Sequence, residues 1–373
     1  MSGPEEPVEF KQDNIEALNS WYEEVSARTT TLPNITISLS GFAREEDAQN
    51  LGNTIQDFLV FYGKFMDLSG LAHVYVAYDY EGTLANLERG FETKNTLAPT
   101  QDDVAVGIAM TPAILQDGVL RSVIVLNAYH MLTLIHSDNE ELKPYYRRMV
   151  YTLAHECGHV HDLGVKARSF PEQWLKARLN MHDGTLFEVA EGCWSEYIAS
   201  RLSAIMSPHE TTTDYENTFC EQLEKSVPAI QGFLRQYRMH GDVGRVLSEC
   251  SYVVKKVLVY ASYLFGQLDG IGASLQDGAP KAKALLEKHG QVEPLVKRLE
   301  AELESMNNVY ENWDKLEVFE PLKKIALDLF AVAGLHLEDR GDEGMYVDIP
   351  YSEDTLPSAE EQAAYLANLR TCE

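Results

Sequence analysis

The pentapeptide His155-Glu156-Cys157-Gly158-His159 constrains this chain more than any other stretch, because its residues act together only on a helix. Residues four apart project from one helical face, so His155 and His159 turn a ring nitrogen each toward a common point. A zinc ion at that point would be held by both, and Glu156 would reach water beside it. Zinc polarises such a water, and the Glu156 carboxylate takes its proton and passes it to a leaving amine. The flanks predict a helix over Leu142 to Leu163. Pro144 suits a first turn. Met149, Val150, Leu153, Ala154, Cys157 and Val160 supply an apolar face at helical spacing. Gly158 weakens the helix slightly but lets a neighbouring element come close. Asp162-Leu163-Gly164 reads as the helix end.

A catalytic zinc takes three protein ligands and keeps one position open. A third histidine in the metzincin frame would need a glycine at position 162 and a histidine at 165, but Asp162 and Val165 stand there. The frame that begins Gly184-Thr185 would put an aspartate at 188, where the chain has Glu188. The stretch from Thr185 to Ala204 reads as a helix and offers Glu188, Glu191 and Glu196. Three and four residues from Glu196 lie Gly192, Cys193, Ala199 and Ser200, all small, a face able to press close to the histidine helix. The same positions around Glu191 hold Phe187, Glu188, Trp194 and Ser195. The two glutamates are about 140° apart on a helical wheel, so one excludes the other. Glu196 is the expected third ligand, with Glu191 the alternative.

In the strand Val123–Asn127, the pentapeptide and the later Glu196-x-x-Ala199-x-Arg201-x-x-Ala204, the chain resembles gluzincin-type zinc metallopeptidases. Among them it looks like the ImmA/IrrE family. The resemblance covers roughly residues 70–208 and includes Met206-Ser207-Pro208. It implies that a Glu-x-x-Ala helix carries the third ligand, here Glu196. It also implies a small intracellular enzyme that cuts one regulatory protein. Ser200 departs from the family, which commonly has Asn there as a partner for a metal-bound histidine.

The order of elements supports an α+β fold: a zincin-like core, made of a small antiparallel sheet plus active-site helices, followed by a mostly helical C-terminal region. Ile35–Ser40 and Ala72–Tyr78 read as strands, Glu45–Met66 as an amphipathic helix. Val104–Met110 and Ser122–Asn127 read as a hairpin-like pair with a turn at Asp117-Gly118. Val123–Asn127, the last strand before the histidine helix, is the expected edge on which an extended peptide would lie. A short helix is expected over Asn14–Ala27. After Asp214 the pattern is helical over Tyr215–Tyr237, Val243–Leu268, Pro280–His289, Val292–Val309 and Leu316–Leu335, with an acidic, partly loose tail. The expected division is 1–70 (N-terminal helical segment), 71–210 (zincin-like core), 211–340 (helical domain) and 341–373 (acidic tail).

Composition narrows the function classes. A net charge of −27 argues against a nucleic-acid partner, since phosphate binding needs clustered Lys and Arg, so none is expected. Five cysteines without framework spacing suit a reducing compartment, and Cys157 and Cys193 read as buried small hydrophobes. The opening residues form no apolar leader, and Val257–Phe265 is too short to span a bilayer, so a cytoplasmic, membrane-free protein is expected. The expectation is therefore a zinc-dependent endopeptidase with one catalytic Zn2+ on His155, His159 and Glu196, Glu156 as base and acid, and a protein or peptide substrate. The alternative is a non-proteolytic zinc-containing binding or sensor protein whose helical half recognises a partner. A weaker third reading is hydrolysis of a non-peptide amide or ester. His161, His240, Tyr252, Tyr260 and Tyr263 are open candidates for an oxyanion donor, and Asp162 or Asp183 for orienting a histidine.

Overall fold

The unbroken apolar run Val123-Ile124-Val125-Leu126 marks the centre of the first half of the molecule, and all four side chains are buried. The computed structural model describes residues 35–93, 96–99, 107–136, 138–171, 174, 178–207, 209–341 and 344–371. The helix expected at Asn14–Ala27, the residues Val104–Val106 and Pro208 lie outside them. The chain divides into two compact units, Met1–Gly164 and Val165–Glu373. The fold is mixed α and β, with small sheets and a helical C-terminal region. No helix of the described residues is long and apolar enough to cross a membrane.

The first unit runs β1 (Thr36–Ser40), α1 (Glu45–Tyr62), β2 (Leu71–Ala77), α2 (Tyr80–Ala85), β3 (Ala109–Met110), β4 (Ala113–Gln116), β5 (Val119–Asn127), α3 (Ala128–Met131) and α4 (Lys143–Ser169). The sheet order is β1-β2-β5-β3, with β4 also on β5. β1 pairs β2 and β2 pairs β5 in parallel, while β3 and β4 are antiparallel to β5. The sheet is thus mixed, which corrects the antiparallel expectation. The cause is the crossover helix α1, which brings β2 back beside β1 in the same direction. The Asp117-Gly118 turn forms as expected, with φ of 52° and 76°, the left-handed pair that a two-residue hairpin requires.

β5 is not an edge. It lies between β2 and the β3–β4 segment, which corrects the expected peptide-binding strand. A strand covered on both faces reads as a continuous apolar run, whereas a half-exposed one alternates. Val123 and Val125 face Tyr80 and Leu84 of α2. α1 buries Leu51, Ile55, Leu59 and Tyr62, and the Tyr62 hydroxyl donates to the Val150 carbonyl of α4 at 2.8 Å.

The second unit comprises α5 (Met181–Ser203), α6 (Glu210–His240), α7 (Val243–Gly270), α8 (Leu275–Gly278), α9 (Pro280–Leu286), α10 (Glu293–Asn308), α11 (Glu320–Val332), a β6–β7 hairpin (His336–Asp339 with Met345–Asp348) and α12 (Ala359–Thr371). The segment after Glu338 is therefore more ordered than its acidity suggests. Arg238 donates to the carbonyls of Ile349 and Pro350, and Arg235 pairs with Glu361, holding this segment on α6.

α5 and α7 cross closely. A Cβ at Gly266 would collide with the Tyr197 carbonyl, and one at Gly270 with the Arg201 carbonyl. Tyr197 and Arg201 both donate to Asp269 across the same crossing. A backbone carbonyl in the middle of a helix cannot swing aside as a side-chain tip can. Gly266→Ala is therefore expected to cost about 3 kcal/mol, the upper end of overpacking. Gly232 on α6 faces almost open space, so Gly232→Ala should instead gain up to about 1 kcal/mol. Denaturant midpoints measure both, and equal midpoints for the two variants would remove the close crossing from the account.

Candidate metal centre

α4 forms where expected but does not stop at Gly164. It continues to Ser169. Val165 and Lys166 just beyond the glycine are buried. An interior glycine costs about 1 kcal/mol, while burying a valine returns about 1.5 kcal/mol or more. Met149, Leu153, Ala154, Cys157 and Val160 form the buried stripe. Cys157 sits on that stripe, where burial pushes its thiol far above the usual range. Cys193 on α5 is likewise buried, and its thiol is pushed up to about 12, chiefly by desolvation. Both behave as small hydrophobes.

The Nε2 atoms of His155 and His159 lie 3.1 Å apart, with the rings edge to face at 4.8 Å. Two nitrogens bonded to one tetrahedral zinc at about 2.0–2.1 Å would sit roughly 3.3 Å apart, so the pair fits that ion. His155, His159 and Glu196 each offer one ligand atom, and these atoms all lie within 4.8 Å of one another. No other such group of three occurs among the described residues. The donor set, two imidazoles and one carboxylate, is one that catalytic zinc uses.

Glu156 is buried. Its Oε2 accepts a 2.6 Å hydrogen bond from the Thr111 hydroxyl, which also lies 3.2 Å from the Glu156 carbonyl. Thr111 stands between β3 and β4, so the sheet edge holds the carboxylate directly. Nothing in the sequence singles out Thr111, because the bond depends on a pairing 45 residues away. For a hydrolytic zinc centre at this place, Thr111→Val is expected to lower turnover by roughly tenfold to a hundredfold through loss of orientation. Bound zinc and substrate affinity should be unchanged, and Thr111→Ser should restore the rate. A valine variant with wild-type kcat would remove Thr111 from the site.

The other glutamates of α5 are occupied elsewhere. Glu191 pairs with the buried Lys166 at 2.7 Å, and Glu188 with Lys255 at 2.7 Å. The small-residue face around Glu196 packs on α7. Gly192 meets Val259 and Lys255, and Ser200 meets Gly266. Small residues serve any close crossing, so the pattern names no partner. The Ser200 hydroxyl is buried and has no hydrogen-bond partner among the described residues. Tyr263 of α7 hydrogen-bonds Glu196, and burial, first, together with the nearby Glu196 charge holds its phenol far above the usual range. Tyr215 and Tyr260 flank it. Of the other candidates, His161 accepts the Asp67 N–H, Asp183 pairs with Lys323, His240 accepts the Asp242 N–H, Asp162 is buried and Tyr252 is exposed.

No family model, no curated protein and no solved structure matches this chain. The chemistry of these side chains is therefore the basis for any functional reading.

Proposed function

We propose that the chain is a zinc-dependent endopeptidase with a zincin-like core, resembling gluzincins of the ImmA/IrrE type. The observation that carries this reading is the convergence of one ligand atom each from His155, His159 and Glu196 beside a carboxylate held by Thr111. A bound zinc ion would supply Lewis acidity toward a scissile carbonyl and lower the pKa of water. His155, His159 and Glu196 would hold it. Tyr263 orients the Glu196 carboxylate. Glu156, kept in one orientation by Thr111, takes the proton from the attacking water and gives it to the departing amine. His155 and Glu156 are buried, whereas His159 and Glu196 are partly exposed. The free, buried thiols of Cys157, Cys193 and Cys250 suit a reducing, cytoplasmic setting. An extended peptide would pair with the β3 edge beside Thr111, in place of the β5 edge expected from sequence order.

The test is direct. Purified chain should carry about one zinc per molecule and cut members of a random peptide mixture, and a chelator should abolish both. Stoichiometric zinc with no cleavage of any peptide would overturn the peptidase reading. That result would favour a zinc-containing binding protein, a reading that draws on one further observation. The second unit holds a cavity of about 510 Å³ lined by Ile230, Leu234, His289, Leu329, His336 and Asp354, a size usual for small-molecule sites.

A further inference from the structure

β3 and β4 are one edge strand in a single register along β5. Met110 faces Val125 and Ala113 faces Ser122, with only Thr111-Pro112 breaking the ladder. The Asn127 N–H donates to the Ile108 carbonyl and the Val123 N–H to the Pro112 carbonyl. In an antiparallel pair the inward groups alternate by residue, so Ala109, Thr111, Ala113 and Leu115 turn their N–H and C=O away from β5. The outward groups of β4 are met by the segment at Arg89. The Leu115 N–H donates to the Arg89 carbonyl at 2.7 Å, and the Arg89 Nε–H donates to the Ala113 carbonyl at 3.0 Å. The next residue, Gly90, has φ of +72°, and a Cβ there would collide with the Leu115 carbonyl. The Arg89 guanidinium also stacks on Phe91 at 4.5 Å. The outward N–H and C=O of Thr111 take no hydrogen-bond partner among the described residues. Among the described residues the edge is thus covered along β4 and open beside the residue that holds Glu156.

We infer that Arg89 is a specificity-determining residue: it ends the open edge at Thr111, so that an extended peptide pairs backbone to backbone on the β3 side of Glu156 and not along β4. This inference rests on the peptidase reading. The substrate it describes is a protein segment extended on one side of the cut bond and free to turn away on the other. An edge covered merely against aggregation has no reason to stay open beside Glu156 alone.

Zinc-loaded wild type, Arg89→Ala and Gly90→Ala are given a mixture of random 14-residue peptides, and the cut bonds are located by mass spectrometry. One cut sequence is then shortened residue by residue from each end. In wild type, kcat/KM should fall about tenfold as one arm is trimmed. On the other arm it should be flat beyond about two residues, the repeat of the ladder. Both variants should make the second arm length-dependent as well. The same peptides should show the same asymmetry in binding to zinc-loaded Glu156→Gln, measured by fluorescence anisotropy. Equal dependence on both arms in wild type, or one unchanged profile across all three proteins, would overturn the role of Arg89 and leave the peptidase reading standing. No cut at all by zinc-loaded wild type would strike that reading, and this one with it.

Discussion

Glu156→Gln is expected to keep zinc at wild-type stoichiometry and to lower peptide cleavage by about 10²–10⁴-fold, the usual contribution of a positioned general base. The substitution is nearly isosteric. Its amide oxygen still accepts from the Thr111 hydroxyl, which now reaches Oε2 at 2.6 Å, so the side chain keeps its place. What it loses is a lone pair basic enough to take a proton. His155 and His159 are untouched, and their Nε2 atoms remain 3.1 Å apart, so metal retention and loss of rate separate cleanly. Zinc analysis and cleavage of the same peptide in one preparation give both readings. Retained activity would mean that Glu156 is a buried structural carboxylate, and the peptidase reading would fail with it. A fall in zinc content alongside rate would instead place Glu156 among the ligands.

The helix of the pentapeptide was legible because helical spacing is local. The apolar stripe through Leu153, Cys157 and Val160 repeats within the stretch that folds, and its burial follows. For Glu196 the sequence offers two signals of unequal worth: its small-residue face, which packs on α7, and the wheel, which says only that Glu191 and Glu196 do not share a side. The structure adds what the wheel lacks, a cation, Lys166, facing Glu191. The edge of the sheet was misread because strand partners are non-local. Even so, the run Val123–Leu126 carried the signal of a strand covered on both faces. The end of α4 was misread because Gly164 is a weak local breaker and the side chains that carry the helix past it, Val165 and Lys166, are held by tertiary contacts. Thr111 and Arg89 could not be read at all. Each acts through a register that exists only once β3 and β4 lie on β5. Small residues around Glu196 admit a close crossing with α7, and since any close crossing needs small residues, their pattern alone names no partner helix.

The second large effect separates the two α5 glutamates. Glu196→Ala is expected to lower zinc affinity by more than the roughly 10–100-fold that loss of an outer hydrogen-bonding partner costs, because a direct ligand is removed. Cleavage should fall with it, and the metal-free chain should lose on the order of 1 kcal/mol, because the buried Tyr263 hydroxyl loses its partner. Glu191→Ala should show the opposite balance. It removes the carboxylate that faces Lys166, a side chain only 2% exposed, through a 2.7 Å pair. Removing one partner of a buried pair leaves a poorly solvated charge; Glu191 is itself partly exposed, so the cost should be on the order of 2 kcal/mol. Zinc affinity should then stay within a few-fold of wild type, since no ligand is lost. Tyr263→Phe falls between these cases. It deletes the hydroxyl that hydrogen-bonds Glu196 and should weaken zinc by about 10–100-fold, the cost of an outer-shell partner. Competition with a chromogenic chelator ranks the three variants, and denaturant unfolding of the metal-free proteins ranks their stabilities. The order expected for zinc is Glu196→Ala weakest, Tyr263→Phe intermediate and Glu191→Ala near wild type, whereas Glu191→Ala should lower the unfolding midpoint most. If Glu191→Ala loses zinc and Glu196→Ala keeps it, the third ligand is Glu191 and the Lys166 pair yields when metal binds. If neither variant changes zinc affinity, the two histidines bind without a carboxylate from α5, and the gluzincin likeness has no basis.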